Sequence, residues 1–127
     1  MNKKNIIKSR NVPKAIGAYS QAINFKDFIF TSGQIPINNK TNDIVSDLFE
    51  EQIIQVLYNL NEVLKSAGSN KKNIVKLVVY LIDLSDFNKL NEAFKVFFID
   101  DFPARSVVEV SSLPMNAKVE IDAICIR

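Results

Sequence analysis

Nine consecutive residues, Ile74-Val-Lys-Leu-Val-Val-Tyr-Leu-Ile82, place the strongest limit on how this chain folds. The run is β-branched, almost wholly apolar and too short for a typical helix of that composition. It predicts an interior strand covered on both faces. Amphipathic segments stand on either side of it. From Asp47 to Ala67, the residues Phe49, Ile53, Val56, Leu57, Leu60, Leu64 and Ala67 recur at three- and four-residue spacing and predict a helix. Ser46 or Asp47 is its expected cap and Gly68 its stop. Glu51, Gln55, Asn59, Glu62 and Lys65 form its expected solvated face. After the strand, Ser85 is expected to cap a second helix from about Asp86 to Ile99. Its apolar stripe is Phe87, Leu90, Phe94 and Phe97/Phe98, with Asn91 beside it. Asp100-Asp101 reads as a solvated exit turn.

The remaining segments read as strands. Residues 1–20 predict a short strand and then a loop. Ala22-Ile-Asn-Phe25 and Asp27-Phe-Ile-Phe-Thr31 predict a hairpin around Lys26-Asp27, ended by Ser32-Gly33-Gln34 and Pro36. At the C-terminal end, two alternating runs flank a polar turn at Ser112-Leu-Pro114. On the first, Arg105, Val107 and Glu109 share a face; on the second, Lys118, Glu120, Asp122 and Ile124 do, with Val119, Ile121, Ala123 and Cys125 opposite. Folded as a hairpin near Ser112/Leu113, the runs would bring Arg105 opposite Glu120, about 5 Å apart at Cβ. That pair has two readings: a cross-strand ion pair that fixes register, or a small-molecule site in which Arg grips a carboxylate and Glu handles a proton or a water.

The element order is therefore β-β-β-α-β-α-β-β, an α+β fold with a six-stranded mixed sheet and two helices on one face. No break in composition divides the chain, so residues 1–127 are expected to be one domain. The uncovered face would carry Val78, Ile82, Val107 and Ile124 beside Lys76, Glu120 and Asp122. That is too apolar for open water and too charged for a dry core, which predicts a homo-oligomer with pockets at the subunit boundary.

Composition excludes several chemistries. The chain has no histidine and one cysteine, Cys125, so Ser/His/Asp and Cys/His nucleophile systems are absent and zinc or copper sites are not expected. Cys125 falls on an apolar strand face and reads as inert core. The net charge of +2 is too small to argue for nucleic acid or a membrane surface. Lys3, Lys4, Lys8, Arg10 and Lys14 read as a solvated N-terminal segment. Met1-Asn-Lys-Lys-Asn-Ile-Ile-Lys lacks an apolar run of signal-peptide length, and a cytoplasmic location is expected.

Four ordered stretches carry a family resemblance across essentially the whole chain. Ala15-Ile-Gly-Ala-Tyr-Ser-Gln21, Phe30-Thr-Ser-Gly-Gln-Ile-Pro36, Asp86-Phe-Asn-Lys-Leu-Asn-Glu-Ala-Phe94 and Pro103-Ala-Arg-Ser…Glu109-Val…Leu113-Pro…Val119-Glu-Ile121 closely resemble the motifs of the Rid (reactive intermediate deaminase) family, RidA-type. The resemblance implies a chorismate-mutase-like fold, a homotrimer with clefts between subunits, and hydrolysis of enamine/imine acids such as 2-iminobutanoate and 2-iminopropanoate to 2-oxo acids and ammonia. It implies no cofactor and no metal. Arg105 then binds the substrate carboxylate, Gly33 offers its backbone N–H, Glu120 orients or activates water, and Tyr19, Ser32 and Asn91 belong to the pocket. Val107 stands where many members carry cysteine, Ala18 where proline is usual and Phe94 where tyrosine is common; the link Ile99–Phe102 is shorter than usual. A binding module without turnover, and a ribonuclease or translation inhibitor as reported for some members, are the competing readings.

Overall fold

In the computed structural model, which describes residues 3–127, six strands form one sheet and two α-helices pack on one of its faces among the described residues. Met1 and Asn2, the start of the basic N-terminal segment, lie outside the described residues. The strands are β1 (Asn5–Ile7), β2 (Ala22–Phe25), β3 (Phe28–Thr31), β4 (Ile74–Leu81), β5 (Ala104–Glu109) and β6 (Val119–Ile126). The helices are α1 (Phe49–Ser66) and α2 (Phe87–Phe98). Across the sheet the order is β1-β2-β3-β6-β4-β5, antiparallel throughout except for the parallel pair β4-β5. The α+β class and the element order agree with the sequence pattern.

The core lies between the helices and the inner sheet face. Ile53, Val56, Leu60, Val63 and Leu64 of α1 meet Ile29, Leu77, Val79, Leu81, Ile121 and Cys125, all essentially inaccessible to solvent. Each such side chain contributes roughly 1.5–3 kcal/mol by leaving water. Gly68 stops α1 as expected, with φ +83. Ser69 N–H donates to the Leu64 carbonyl and Gly68 N–H to that of Lys65, which closes the end of the helix.

Neither expected N-terminal cap forms. The cap position of α1 is Leu48, and Ser46, two residues earlier, only accepts from Leu48 N–H through its Oγ. At α2, Asp83 accepts from Ser85 N–H and opens a short 3-10 turn, so Ser85 lies inside that turn. Asn59 and Glu62 are buried, not solvated. The chain before α1 covers them: Asn59 Nδ2 donates to the Ile35 and Ile37 carbonyls, and Asn11 Nδ2 donates to Glu62. Buried polar groups persist where such partners exist.

The C-terminal hairpin does not form. A helix between two strands returns the chain in the same direction, so β4-α2-β5 lays β5 parallel beside β4. Residues 110–118 then cross to the far side of β4, where β6 pairs antiparallel. β4 thus separates the two runs. It is an interior strand, but only its helix side is covered by the described residues; Lys76, Val78 and Tyr80 face a partly open surface. Ile6, Phe28, Phe30, Val108 and Ile126 are exposed large apolar residues in the strands.

α2 ends at an unusual joint. Ile99 has φ 70 and ψ −62, and Asp100 N–H donates to the Phe98 carbonyl at 2.8 Å. This is a γ-turn of the strained kind on an exposed β-branched residue.

Candidate functional site

Register decides which expected site residues meet. Arg105 pairs with Leu77, and Leu77 with Ala123, so Arg105 belongs to the helix-side face. Glu120 pairs with Tyr80, and Tyr80 with Val108, on the open face. Arg105 and Glu120 therefore point to opposite sides of one sheet, and the expected cross-strand pairing is corrected. Val107 follows Arg105 and packs against the core, so it too leaves the open face to which it was assigned.

Two clusters result. In the first, α2 sets the surroundings of Arg105. Its guanidinium donates to Asn91 Oδ1 and lies 5.3 and 5.1 Å from the ring centres of Phe87 and Phe94. The apolar spacing of α2 that builds the core also supplies these two rings. Arg105 is half-buried, and burial lowers its proton affinity from the usual arginine value. No carboxylate lies within ion-pair distance of it among the described residues. A half-buried guanidinium with one neutral acceptor and no counter-ion has donors left over for an anion.

The second cluster gathers on the open face. Gln34 and Ile121 exchange backbone hydrogen bonds at 2.8 and 3.1 Å, which draws Gly33 against Glu120. A β-carbon on Gly33 would fall 2.7 Å from the carboxyl carbon of Glu120, closer than real side chains approach. Glycine is needed here for close approach, not for a left-handed backbone. Ser32 Oγ donates to the Ser20 carbonyl, which ties the Gly33 segment to Tyr19. Tyr19 is 50% exposed, and with Gly33, Gln34 and Gln21 it borders a cavity of about 50 Å³. Glu120 is half-buried; burial, and then the charge of Asp122, raise its proton affinity above the usual carboxylate range. Asp122 is raised by burial and lowered in part by a hydrogen bond from Tyr80.

Gly33 and Glu120, with Tyr19 and Ser32 around them, thus form one group; Arg105 and Asn91 form another. No site role was expected for Phe87, Tyr80 or Asp122, and Phe94 entered only as a departure from the family's tyrosine. Asp122 was findable, because it lies two residues from Glu120 and shares its face. Tyr80 could be placed only once β4 was known to separate the two runs.

A larger cavity, about 580 Å³, lies elsewhere, between α1 and α2, and is lined by Ile54, Leu57, Val96 and Phe97. Among the described residues no group of three or more His, Cys, Asp or Glu side chains is arranged to hold a metal. No described helix is long and apolar enough to cross a membrane. Cys125 is buried, and burial raises its thiol.

Comparison with known proteins adds the following. Residues 9–127 match the family model described as Endoribonuclease L-PSP. A RutC family protein of Pyrococcus horikoshii is 44% identical over 124 residues, covering 98% of this chain and 98% of its own. The human 2-iminobutanoate/2-iminopropanoate deaminase is 40% identical over 122 residues, covering 96% of this chain and 89% of its own. Among solved structures, Yersinia pestis YyfA, of the conserved Rid protein family, superposes with a TM-score of 0.96 at 44% identity, over 98% of this chain and all of that one. E. coli TdcF with bound serine superposes with a TM-score of 0.92 at 38% identity, over 97% and 98%.

Proposed function

This chain belongs to the Endoribonuclease L-PSP family, the Rid family of the sequence motifs, and from that premise we propose that it is a cytoplasmic hydrolytic deaminase. Its substrates would be 2-imino acids such as 2-iminobutanoate and 2-iminopropanoate, converted to 2-oxo acids and ammonia. The relative that carries the deaminase name supports the reaction class. Serine bound to TdcF supports a site for a small molecule with a carboxylate. The observation that carries the reading is a half-buried Arg105 without a counter-ion among the described residues, on a fold whose Glu120 is held against a glycine backbone.

The two groups lie on opposite faces of one protomer, so a working site needs two copies. Arg105 stands on β5, an outer strand, where a neighbour can receive it. The exposed Phe28, Phe30, Val108 and Ile126 supply apolar area for that contact. In our reading three copies close a ring in which Arg105 and Asn91 of one face Glu120, Gly33, Ser32 and Tyr19 of the next.

The proton account needs no metal or nucleophile. Arg105 holds the substrate carboxylate with two parallel N–H donors, and the Gly33 N–H adds a third. Water adds to the iminium carbon as Glu120 takes one of its protons. The same carboxyl passes that proton to the nitrogen of the resulting carbinolamine. The C–N bond then breaks, a hydroxyl proton returns to Glu120, and ammonia leaves with the 2-oxo acid; the proton on Glu120 finally makes ammonium. A carboxyl with raised proton affinity suits this two-way traffic.

The test couples a threonine dehydratase to the protein and follows 2-oxobutanoate. Wild type should accelerate imine hydrolysis, and Arg105→Ala should abolish the gain. An Arg105→Ala protein as fast as wild type rejects the site. A protein that binds 2-oxo acids without turnover would be the binding module instead. The family description also keeps ribonuclease activity in view; the lack of histidine and the weak net charge count against it.

A further inference from the structure

The open face holds a second acid that the reaction above does not use. Asp122 and Glu120 lie two residues apart on β6 and share a face, about 7 Å apart along the strand. Tyr80 is the direct cross-strand neighbour of Glu120, and Val78 that of Asp122. The Tyr80 hydroxyl reaches diagonally and donates to Asp122 Oδ2 at 3.2 Å. Glu120 receives no such hydrogen bond from it.

We propose that Tyr80 and Asp122 are a positioning pair: the phenol holds Asp122 ionised, so that Glu120 is the carboxyl that carries the proton on this face. Two carboxyls this close on a half-buried surface titrate as a coupled pair, and a donor to one of them decides which gives up its proton first. The directions agree with the geometry. Burial raises both acids, Asp122 further raises Glu120, and the Tyr80 hydrogen bond partly relieves Asp122. Tyr80 itself is raised by burial and by Asp122, which keeps its hydroxyl a donor.

Among the described residues, the other charged groups on this face are two lysines that have partners of their own, and the partner of Lys76, Ser106, lies across Val78 from Asp122. Lys118 Nζ donates to the Asp47 carbonyl, and Lys76 Nζ to Ser106 Oγ at 3.3 Å. Lys76 sits at the level of Ile124, beyond Asp122. Across the face, β5 offers Ser106 and Val108 and β3 offers Phe30, none of them charged. In the assembled ring, Arg105 of a neighbouring copy would act in the opposite sense, equally in every form compared. The proposal rests on the deaminase reading for its purpose and on the protein alone for its test.

That test is a ¹³C NMR titration of the Glu and Asp carboxyls of the full chain, assigned with Glu120→Gln and Asp122→Asn. In wild type Asp122 should titrate below Glu120. In Asp122→Asn the Glu120 midpoint should fall by at least about half a pH unit, a threefold loss of proton affinity. In Tyr80→Phe the Asp122 midpoint should rise and the gap should narrow. Asp122→Ser repeats the charge removal with a smaller side chain, should Asp122→Asn fold poorly. In turnover, the low-pH limb of kcat should move down in Asp122→Asn while KM stays put, because the grip lies on Arg105. A Glu120 midpoint unmoved by loss of Asp122, or an Asp122 midpoint unmoved in Tyr80→Phe, overturns the pair. No acceleration of imine hydrolysis by wild type would instead reject the deaminase reading, and full turnover in Glu120→Gln the proton role of Glu120; either result leaves the titrations to decide the pair.

Discussion

Gly33 and Glu120 occupy space that admits no atom between them: a β-carbon at residue 33 would press into the Glu120 carboxyl. The obstruction is the far end of a flexible side chain, so the fold can yield where the chemistry cannot. Gly33→Ala should keep its Tm within a few degrees and lose turnover by about ten- to a hundredfold as Glu120 swings away. Thermal unfolding and the coupled 2-oxobutanoate assay, run together, check both halves of that statement.

Arg105→Lys should fail to restore what Arg105→Ala loses. A lysine keeps the charge but not the two parallel donors, and it replaces a guanidinium held near the Phe87 and Phe94 rings with a point charge. We expect kcat/KM to fall about a hundredfold in Arg105→Ala, about 2.7 kcal/mol of transition-state binding, with most of the loss seen in KM. Steady-state kinetics with generated 2-iminobutanoate measures it.

A site divided between copies makes an unusual mixing experiment possible. With substrate held well below KM, Arg105→Ala and Glu120→Gln should each show about a hundredth of wild-type activity or less alone. Unfolded together and refolded as mixed rings, about a quarter of the sites should receive an intact Arg105 and an intact Glu120. Light scattering should give about three times 14.4 kDa for wild type. A single mass near 14.4 kDa, or mixtures as inactive as their parents, would remove the shared site.

Glu120 should lower stability as pH rises. Its proton affinity is raised by burial and by Asp122, so the native state holds a proton that the unfolded chain gives up near the ordinary glutamate value of 4.5. Stability from this group is fully present below that value and is lost as pH climbs through the raised native value. Glu120→Gln should therefore be more stable than wild type at pH 8 and indistinguishable at pH 4. Urea unfolding at one fixed chain concentration reads the difference.

The helices, the core and the order of elements were legible because apolar spacing reports burial directly. Leu60 and Leu64 on α1, or Val119 and Cys125 on β6, are inside because their neighbours at the right period are inside. Strand partners were not legible from alternation, which says which residues share a face but not which strand lies alongside. Glu120 was expected on the open face, where it lies, but Arg105 and Val107 were put beside it by a hairpin that the β4-α2-β5 crossover forbids. The buried Asn59 and Glu62 escaped for a different reason. Their partners come from residues 11 and 35–37, far away in sequence. For the candidate site, residue types were readable from the motifs, whereas the division into two clusters required the register.

The γ-turn at Ile99 offers a lever on heat tolerance that leaves the chemistry alone. Its side chain is 75% exposed, so replacing it removes no core packing. Glycine takes up φ 70, ψ −62 without the crowding that a β-branched residue suffers there, and relief of about 1–3 kcal/mol outweighs the roughly 1 kcal/mol that glycine costs by loosening the unfolded chain. Ile99→Gly should melt a few degrees higher with turnover unchanged, as differential scanning calorimetry and the coupled assay would show. The residue that nature left in the most awkward posture is then the cheapest place to toughen this molecule.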